Sequence, residues 1–368
     1  MSTSPLHELS SLGQSVWLDF LSRSFLAEGG IERMIKEDAL AGMTSNPTIF
    51  QKAIAEGDAY DEQMAEVMER TQDPKEIFLE LAVRDVSDAC RRLRPVYDAG
   101  TGGDGFVSLE VDPNIAHDAE ATETEAMRLH EWIDLPNLLV KIPATREGLV
   151  AIENVIAKGR SINVTLIFSL DRYAAVAEAY VRGLERLVEG GGDPTPVASV
   201  ASFFVSRVDS EADKRLDAIG GHDELKGKLA IANAKLAYER CKEIFSGDRW
   251  AALEARGATP QRCLWASTST KNPDYRDVMY VEELIGPNTV NTMPAETIEA
   301  FQDHGTAALT LEQGLDEVHR FMEQLAEAGV DYDDVTKVLE QEGVQKFADS
   351  FSQLIEDVEG KRSALVAA

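Results

Sequence analysis

An α/β fold, a closed parallel (β/α)8 barrel with additional helices at its N- and C-terminal ends, is what this sequence predicts. Three observations carry the prediction. Short apolar runs recur eight times along the 368 residues, the stretches between them read mostly as helix, and no glycine-rich dinucleotide fingerprint follows the first run. Strand–helix alternation repeated eight times suits a barrel. The missing fingerprint counts against the runner-up, an open doubly wound sheet.

Taken in order, Pro5–Leu12 reads as a short opening helix. The strands follow as Ser15–Phe20, Gly42–Asn46, Phe106–Val111, Leu138–Pro143, Ile162–Phe168, Val197–Phe204, Arg262–Ser267 and Thr289–Thr292. Among the intervening helices, Glu76–Leu93 sets Ile77, Leu81, Val83, Val86 and Cys90 along one side. The glycine-rich pieces Gly100–Gly105 and Gly190–Pro196 are too short to be interdomain linkers. After the last strand, Thr310-Leu311-Glu312-Gln313 looks like a capping box. It opens a helix with Leu311, Leu315, Val318, Met322 and Leu325 on one face, closed by Gly329. A second run, Val335–Ile355, carries Leu339, Val344, Phe347, Phe351 and Leu354. The expectation is a single TIM-type barrel domain over residues 1–368, with C-terminal helices over about 310–358 packed on it.

Composition narrows the function. Apolar content of 44% and charged content of 27% are ordinary for a globular enzyme. No apolar run is long enough to span a membrane, and Met1-Ser2-Thr3-Ser4-Pro5 lacks the basic and apolar regions of a signal peptide. Cys90, Cys241 and Cys263 are widely spaced without metal-ligand spacing, which suits reduced core thiols in the cytoplasm. Net charge is −29, from 65 acidic against 36 basic residues. Such a surface repels nucleic acid and anionic membrane, so neither is an expected partner. It repels a phosphorylated substrate as well, unless cations gather at the site. The six histidines are scattered and none lies on an expected strand, so a metal-dependent chemistry is not expected.

Barrels of this kind hold their sites at the C-terminal ends of the strands, so polar residues there are candidates. Strand 1 ends in Asp19 among apolar neighbours. Strand 2 ends Thr44-Ser45-Asn46-Pro47, strand 3 carries Glu110, strand 4 carries Lys141, and strand 5 carries Asn163 and Thr165. Strand 6 holds Ser202 and Phe204 and leads to Arg207; strand 7 leads through Ser267 to Lys271. Each has an ordinary alternative. Asp19 could cap the next helix, Asn46 could serve a turn, and Arg207 and Lys271 could be solvated loop charges. Together, one lysine, two carboxylates and two cations at one mouth make that set of alternatives improbable.

Lys141 is the sharpest feature, because Leu139-Val140-Lys141-Ile142-Pro143 carries an amine into an apolar strand. Lysine is seldom buried unless paired or reactive. Desolvation favours the neutral amine, the form that attacks a carbonyl to give a Schiff base. Dehydrating the first adduct needs a proton donor, a role suited to Glu110 with Thr165. Cleaving the adjacent carbon–carbon bond needs a base, a role suited to Asp19. Arg207 and Lys271 suit a phosphate at the far end of a substrate.

These motifs resemble the transaldolases of the pentose phosphate pathway. The matching stretches are Leu18-Asp19, Thr44-Ser45-Asn46-Pro47, Val107 to Asp112, Leu139 to Thr145, Asn163 to Ser169 and Ser202 to Arg207, in family order, with weaker matches as far as strand 8. The resemblance implies Lys141 as Schiff-base nucleophile, Asp19 as acid/base for cleavage, and Glu110 with Thr165 handling protons and water. It implies Thr44, Asn46, Asn163, Ser202 and Phe204 around the dihydroxyacetone unit, and Arg207 and Ser267 at the phosphate. It also implies a reaction without a cofactor, moving that unit from sedoheptulose 7-phosphate to glyceraldehyde 3-phosphate, in a cytoplasmic monomer or homodimer. One departure stands out. Many members place an arginine almost directly after the serine of strand 7; here Ser267-Thr268-Ser269-Thr270-Lys271 stands there, and Lys271 is the substitute. The rivals are a fructose 6-phosphate aldolase, which by resemblance carries glutamine for Glu110 and tyrosine for Phe204, and a silent sugar-phosphate-binding barrel.

Overall fold

A computed structural model describes residues 4–55, 57–100 and 103–367. Met1–Thr3 of the N-terminal segment and Thr101–Gly102 of the Gly100–Gly105 piece lie outside them. Eight parallel strands close into a barrel in chain order. They are β1 (Gln14–Asp19), β2 (Leu40–Thr44), β3 (Phe106–Glu110), β4 (Leu138–Pro143), β5 (Ile162–Ile167), β6 (Ser199–Phe204), β7 (Arg262–Ala266) and β8 (Thr289–Met293). This is the (β/α)8 fold that the apolar runs predict, with strand bounds moved by no more than about two residues, the usual scatter for element ends.

Side chains alternate between the two faces of a strand, so residues two apart share a face. On β1 that pairs Trp17 with Asp19. The register sets Trp17 beside Gly42 and Asp19 beside Thr44. Trp17 fills the barrel interior because β2 offers it a glycine: a Cβ on Gly42 would lie 2.4 Å from Trp17 Cε2. At the floor, Trp17 Nε1 and Ser15 Oγ both donate to Asp104, and Arg262 pairs with the same carboxylate at 3.1 Å. The indole plugs the barrel below the level of Asp19.

Three helices follow β8, beginning with Ala295–His304, and one expectation about the other two fails. The first of these two spans Leu315–Glu327, behind Gly314 at φ +69°, so it does not begin at Thr310. The Thr310 hydroxyl is committed elsewhere. It donates to the Glu282 carbonyl at 2.5 Å and accepts from the Ile285 amide at 3.3 Å, which ties the segment to the β7–β8 connection instead of capping a helix. Leu311 is buried there and packs over Gly286. The second helix, Tyr332–Ala367, is 36 residues long and outruns the expected Val335–Ile355 at both ends. Beyond Val358 the helix is held by Lys361, 2.7 Å from Asp61, and by the partly buried Leu365, too sparse a pattern for apolar periodicity to announce its end.

That last helix crosses the C-terminal mouth of the barrel. Near its start Glu340 pairs with Arg172, at the beginning of the helix after β5. Near its end Asp357 accepts from Gln51, on the helix after β2. No described helix is long and apolar enough to cross a membrane.

Gly42→Ala should cost about 1–3 kcal/mol through overpacking against Trp17, read as a lower midpoint in guanidinium unfolding. Unchanged stability would mean that the indole can shift without loss.

Candidate active site

The strand register assembles the site. Glu110 stands beside Lys141, Lys141 beside Asn163, and Pro143 beside Thr165. These side chains, with Asp19 and Thr44, face inward in the last layer before the mouth. Lys141 is 5% exposed and Glu110 7%, so neither side chain reaches out to solvent.

Lys141 Nζ donates to the Ser45 carbonyl at 3.1 Å. It lies 3.3 Å from Glu110 Oε2 in an ion pair too poorly aimed to be a hydrogen bond. Burial pushes the Glu110 carboxyl up to about 7; Lys141 opposes the rise and Asp19 adds to it. At neutral pH Glu110 therefore spends much of its time protonated. Both Glu110 oxygens and the buried Thr165 hydroxyl accept or donate no hydrogen bond. Buried polar groups are almost always satisfied, so three unsatisfied atoms on the strands β3 and β5 that flank Lys141 suit a polar ligand.

Asp19 lies close enough to Lys141 and Glu110 for the amine to lower it and for it to raise Glu110. Thr44 Oγ1 donates to Asp19 Oδ1 at 2.7 Å and contacts Thr292 Oγ1 at 2.7 Å. Thr44 has one proton and gives it to Asp19, so Thr292 donates to Thr44. Burial holds the Asp19 carboxyl above its ordinary range, against the pull of Lys141, the Thr44 hydrogen bond and Arg207. The alternative role of helix cap is thus not what the Asp19 contacts serve.

A second chain of hydrogen bonds lies behind the lysine. Ser202 Oγ donates to Asn163 Oδ1 at 2.7 Å, and Asn163 Nδ2 donates to Ser108 Oγ at 3.0 Å.

Towards the rim, the Arg207 guanidinium lies 5.2 Å from the Phe204 ring centroid, and Phe204 packs on Phe168 at 5.2 Å. Burial draws Arg207 below the ordinary guanidinium value, with Asp19 and Glu342 opposing. Ser267 adopts φ +58° and shares a 2.9 Å hydroxyl contact with Ser206, which leads into the helix carrying Arg207. Asn46 is half-buried, and its Oδ1 accepts the Ile49 amide at 3.1 Å, so it serves the turn into the next helix. Lys271 is exposed and donates to Ser269 at 2.7 Å. It is not drawn into the buried group around Lys141.

Sequence reading missed four contributors. Ser108 carried a signal, since it stands two residues before Glu110 and shares its face. Thr292 shares the same parity with β1 but sits on the weakest motif. Ser45 acts through its carbonyl, which no side-chain pattern reveals. Phe347, with its ring centroid 5.8 Å from Lys141 Nζ, comes from the C-terminal helix.

The family model described as Transaldolase/Fructose-6-phosphate aldolase matches residues 16–358. A protein named Transaldolase from Frankia alni is 53% identical over 356 residues, covering 96% of each chain. Another of that name, from Saccharopolyspora erythraea, is 50% identical over 358 residues and covers 97% of each. Transaldolase 2 of Streptomyces avermitilis is 48% identical over 370 residues, 99% of this chain and 98% of its own.

Thr44→Val removes the donor that holds Asp19 down, so the Asp19 carboxyl should titrate at higher pH. Carbon-13 NMR of the labelled carboxyl reads this directly. An unmoved titration would mean that Thr292 takes over as donor.

Proposed function

This chain belongs to the transaldolase/fructose-6-phosphate aldolase family, and from that premise we propose that it is a transaldolase acting through a Schiff base on Lys141. The observation that carries the reading is the buried amine flanked by two carboxyls of raised pKa, Glu110 and Asp19. Separate acids on the two sides of one nucleophile suit a reaction with two separate proton transfers.

Lys141 Nζ attacks the C2 carbonyl of a ketose phosphate, and Glu110, protonated near neutral pH, gives its proton to the departing hydroxyl. Water leaves and a protonated imine remains. Asp19 takes the proton from the C4 hydroxyl as the C3–C4 bond breaks, and the bonding pair flows into the imine as an enamine. An aldose phosphate departs. The enamine then attacks the incoming aldehyde, and Asp19 returns its proton to the new alkoxide. Hydrolysis, with Glu110 and Thr165 handling water, frees Lys141. The imine nitrogen is the electron sink, so the scheme calls for no cofactor.

Sedoheptulose 7-phosphate and glyceraldehyde 3-phosphate fit as the sugar phosphates, with erythrose 4-phosphate and fructose 6-phosphate as products. Asn163 and Ser202, already bonded to each other, suit the dihydroxyacetone hydroxyls, with Asn46, Thr44 and Phe204 around them. Arg207 and Ser267 suit the phosphate: a half-enclosed cation counters the repulsion of a −29 surface. Lys271 is the weaker phosphate partner, being exposed at the rim. We place the enzyme in the cytoplasm as a monomer or homodimer, in keeping with its three free cysteines.

Borohydride reduction with fructose 6-phosphate should leave a dihydroxyacetone-sized adduct on Lys141. Lys141→Ala should lose both adduct and turnover, and Asp19→Ala should trap uncleaved sugar phosphate instead; residual activity within about tenfold in Lys141→Ala would refute the nucleophile. Free dihydroxyacetone released as fast as it is transferred would favour the aldolase.

Imine formation should slow as pH rises through about 7, where Glu110 loses its proton. In Glu110→Gln that limb should vanish, with the rate down about 100-fold or more. A limb that persists belongs to another group.

A further inference from the structure

The C-terminal helix brings to the reacting nitrogen an aromatic side chain that no strand supplies. Phe347 is buried, with its ring 5.8 Å from Lys141 Nζ. Its seat is built on both sides. Four residues earlier, Gly343 rests on β5, where a Cβ would come within 3.1 Å of Leu166 Cδ2 and 3.3 Å of Phe168 Cε2. Four residues later, Phe351 packs edge-on against Phe78 at 5.8 Å. Gly343, Phe347 and Phe351 therefore share one helix face, and that face looks down on the mouth. Leu166 meets the helix from φ +60°, at the point where β5 and β6 slip register.

We propose that Phe347 is a specificity-determining residue: its ring covers the Schiff base and keeps water from the imine carbon, so that the three-carbon unit passes to an aldehyde and is not released. This rests on the transaldolase reading above. A ring beside the nitrogen favours every cationic form of it, the ammonium before attack and the iminium after. That effect is shared by both fates of the bound unit and does not choose between them. Exclusion of water does. In transfer, the enamine carbon bonds to the aldehyde carbon and the aldehyde oxygen takes a proton from Asp19. In release, the enamine carbon is protonated, water's oxygen bonds to the imine carbon, and the C–N pair returns to Lys141 as free dihydroxyacetone departs. Both routes end with water at the imine carbon, since hydrolysis also frees the product sugar; only release brings water there while the three-carbon unit alone is bound, and that is the stage Phe347 guards.

The test measures two rates on the full chain with fructose 6-phosphate. One is transfer to erythrose 4-phosphate; the other is release of dihydroxyacetone with no acceptor. Phe347→Leu and Phe347→Ala open increasing space, and Phe347→Met keeps the bulk. The ratio of release to transfer should rise about tenfold or more in Phe347→Ala and less in Phe347→Leu. In Phe347→Met it should stay within about twofold of the parent, with the Lys141 adduct still trapped by borohydride in all three. Should Phe347→Ala fail to fold, the Leu and Met pair carries the comparison. Release and transfer falling in parallel, with the ratio unmoved, would overturn the proposal and leave Phe347 a packing residue. Absence of a Lys141 adduct in the parent protein would overturn the transaldolase reading, and this proposal with it.

Discussion

The buried pair of Lys141 and Glu110 is the constraint around which the rest of the site is arranged. Two ionisable groups are held in the interior, and such burial is costly unless neighbours compensate. Here the compensation is partial. Lys141 has the Ser45 carbonyl, while both Glu110 oxygens lack a hydrogen bond. The strain appears in the proton affinity of Glu110. A carboxyl near 7 in the folded chain binds its proton more tightly than the unfolded chain does, so this residue withdraws stability as pH rises from the ordinary carboxylate range towards neutrality. Stability is given up where protons are to be moved, and the apolar packing of the surrounding strands and helices carries the cost.

The second carboxyl is likewise raised by burial and opposed by Lys141, but it has a hydrogen-bond donor as well. Asp19 has a donor in Thr44, which has its own donor in Thr292, so its environment is set by three strands that close the barrel, β8, β1 and β2. Glu110 is governed chiefly by burial and by one amine. The two acids flank the same nitrogen and answer to different surroundings, which lets one side hold a proton while the other is ready to take one.

The barrel and its inward residues were legible because period-two alternation and strand-end position carry the same information in one dimension as in three. Asp19, Glu110, Lys141, Asn163, Thr165 and Ser202 are each found at a strand position whose parity can be counted. The exceptions have physical causes. Thr310 has the composition of a cap but spends its hydroxyl on the β7–β8 connection. Asn46 is no exception, because its Oδ1 serves the turn while its amide Nδ2 is a separate donor. Lys271 lies in a loop whose path the sequence does not fix, and there it stays exposed. Phe347 was visible as one member of an apolar helix face, but where that face would land was not, since helix periodicity encodes burial and not destination.

The chain order of these parts has a consequence for biosynthesis. β3 and β4, which carry Glu110 and Lys141, are neighbours in sequence and can pair while later segments are still being made. Closure of β8 on β1, which completes the Thr292–Thr44–Asp19 chain, waits for the eighth strand. The helix bearing Phe347 emerges only after all eight strands. A nascent chain thus acquires its buried amine before the donor relay for its second acid, and the ring of Phe347 only after all eight strands, so the amine stays open to solvent until the C-terminal helix follows them.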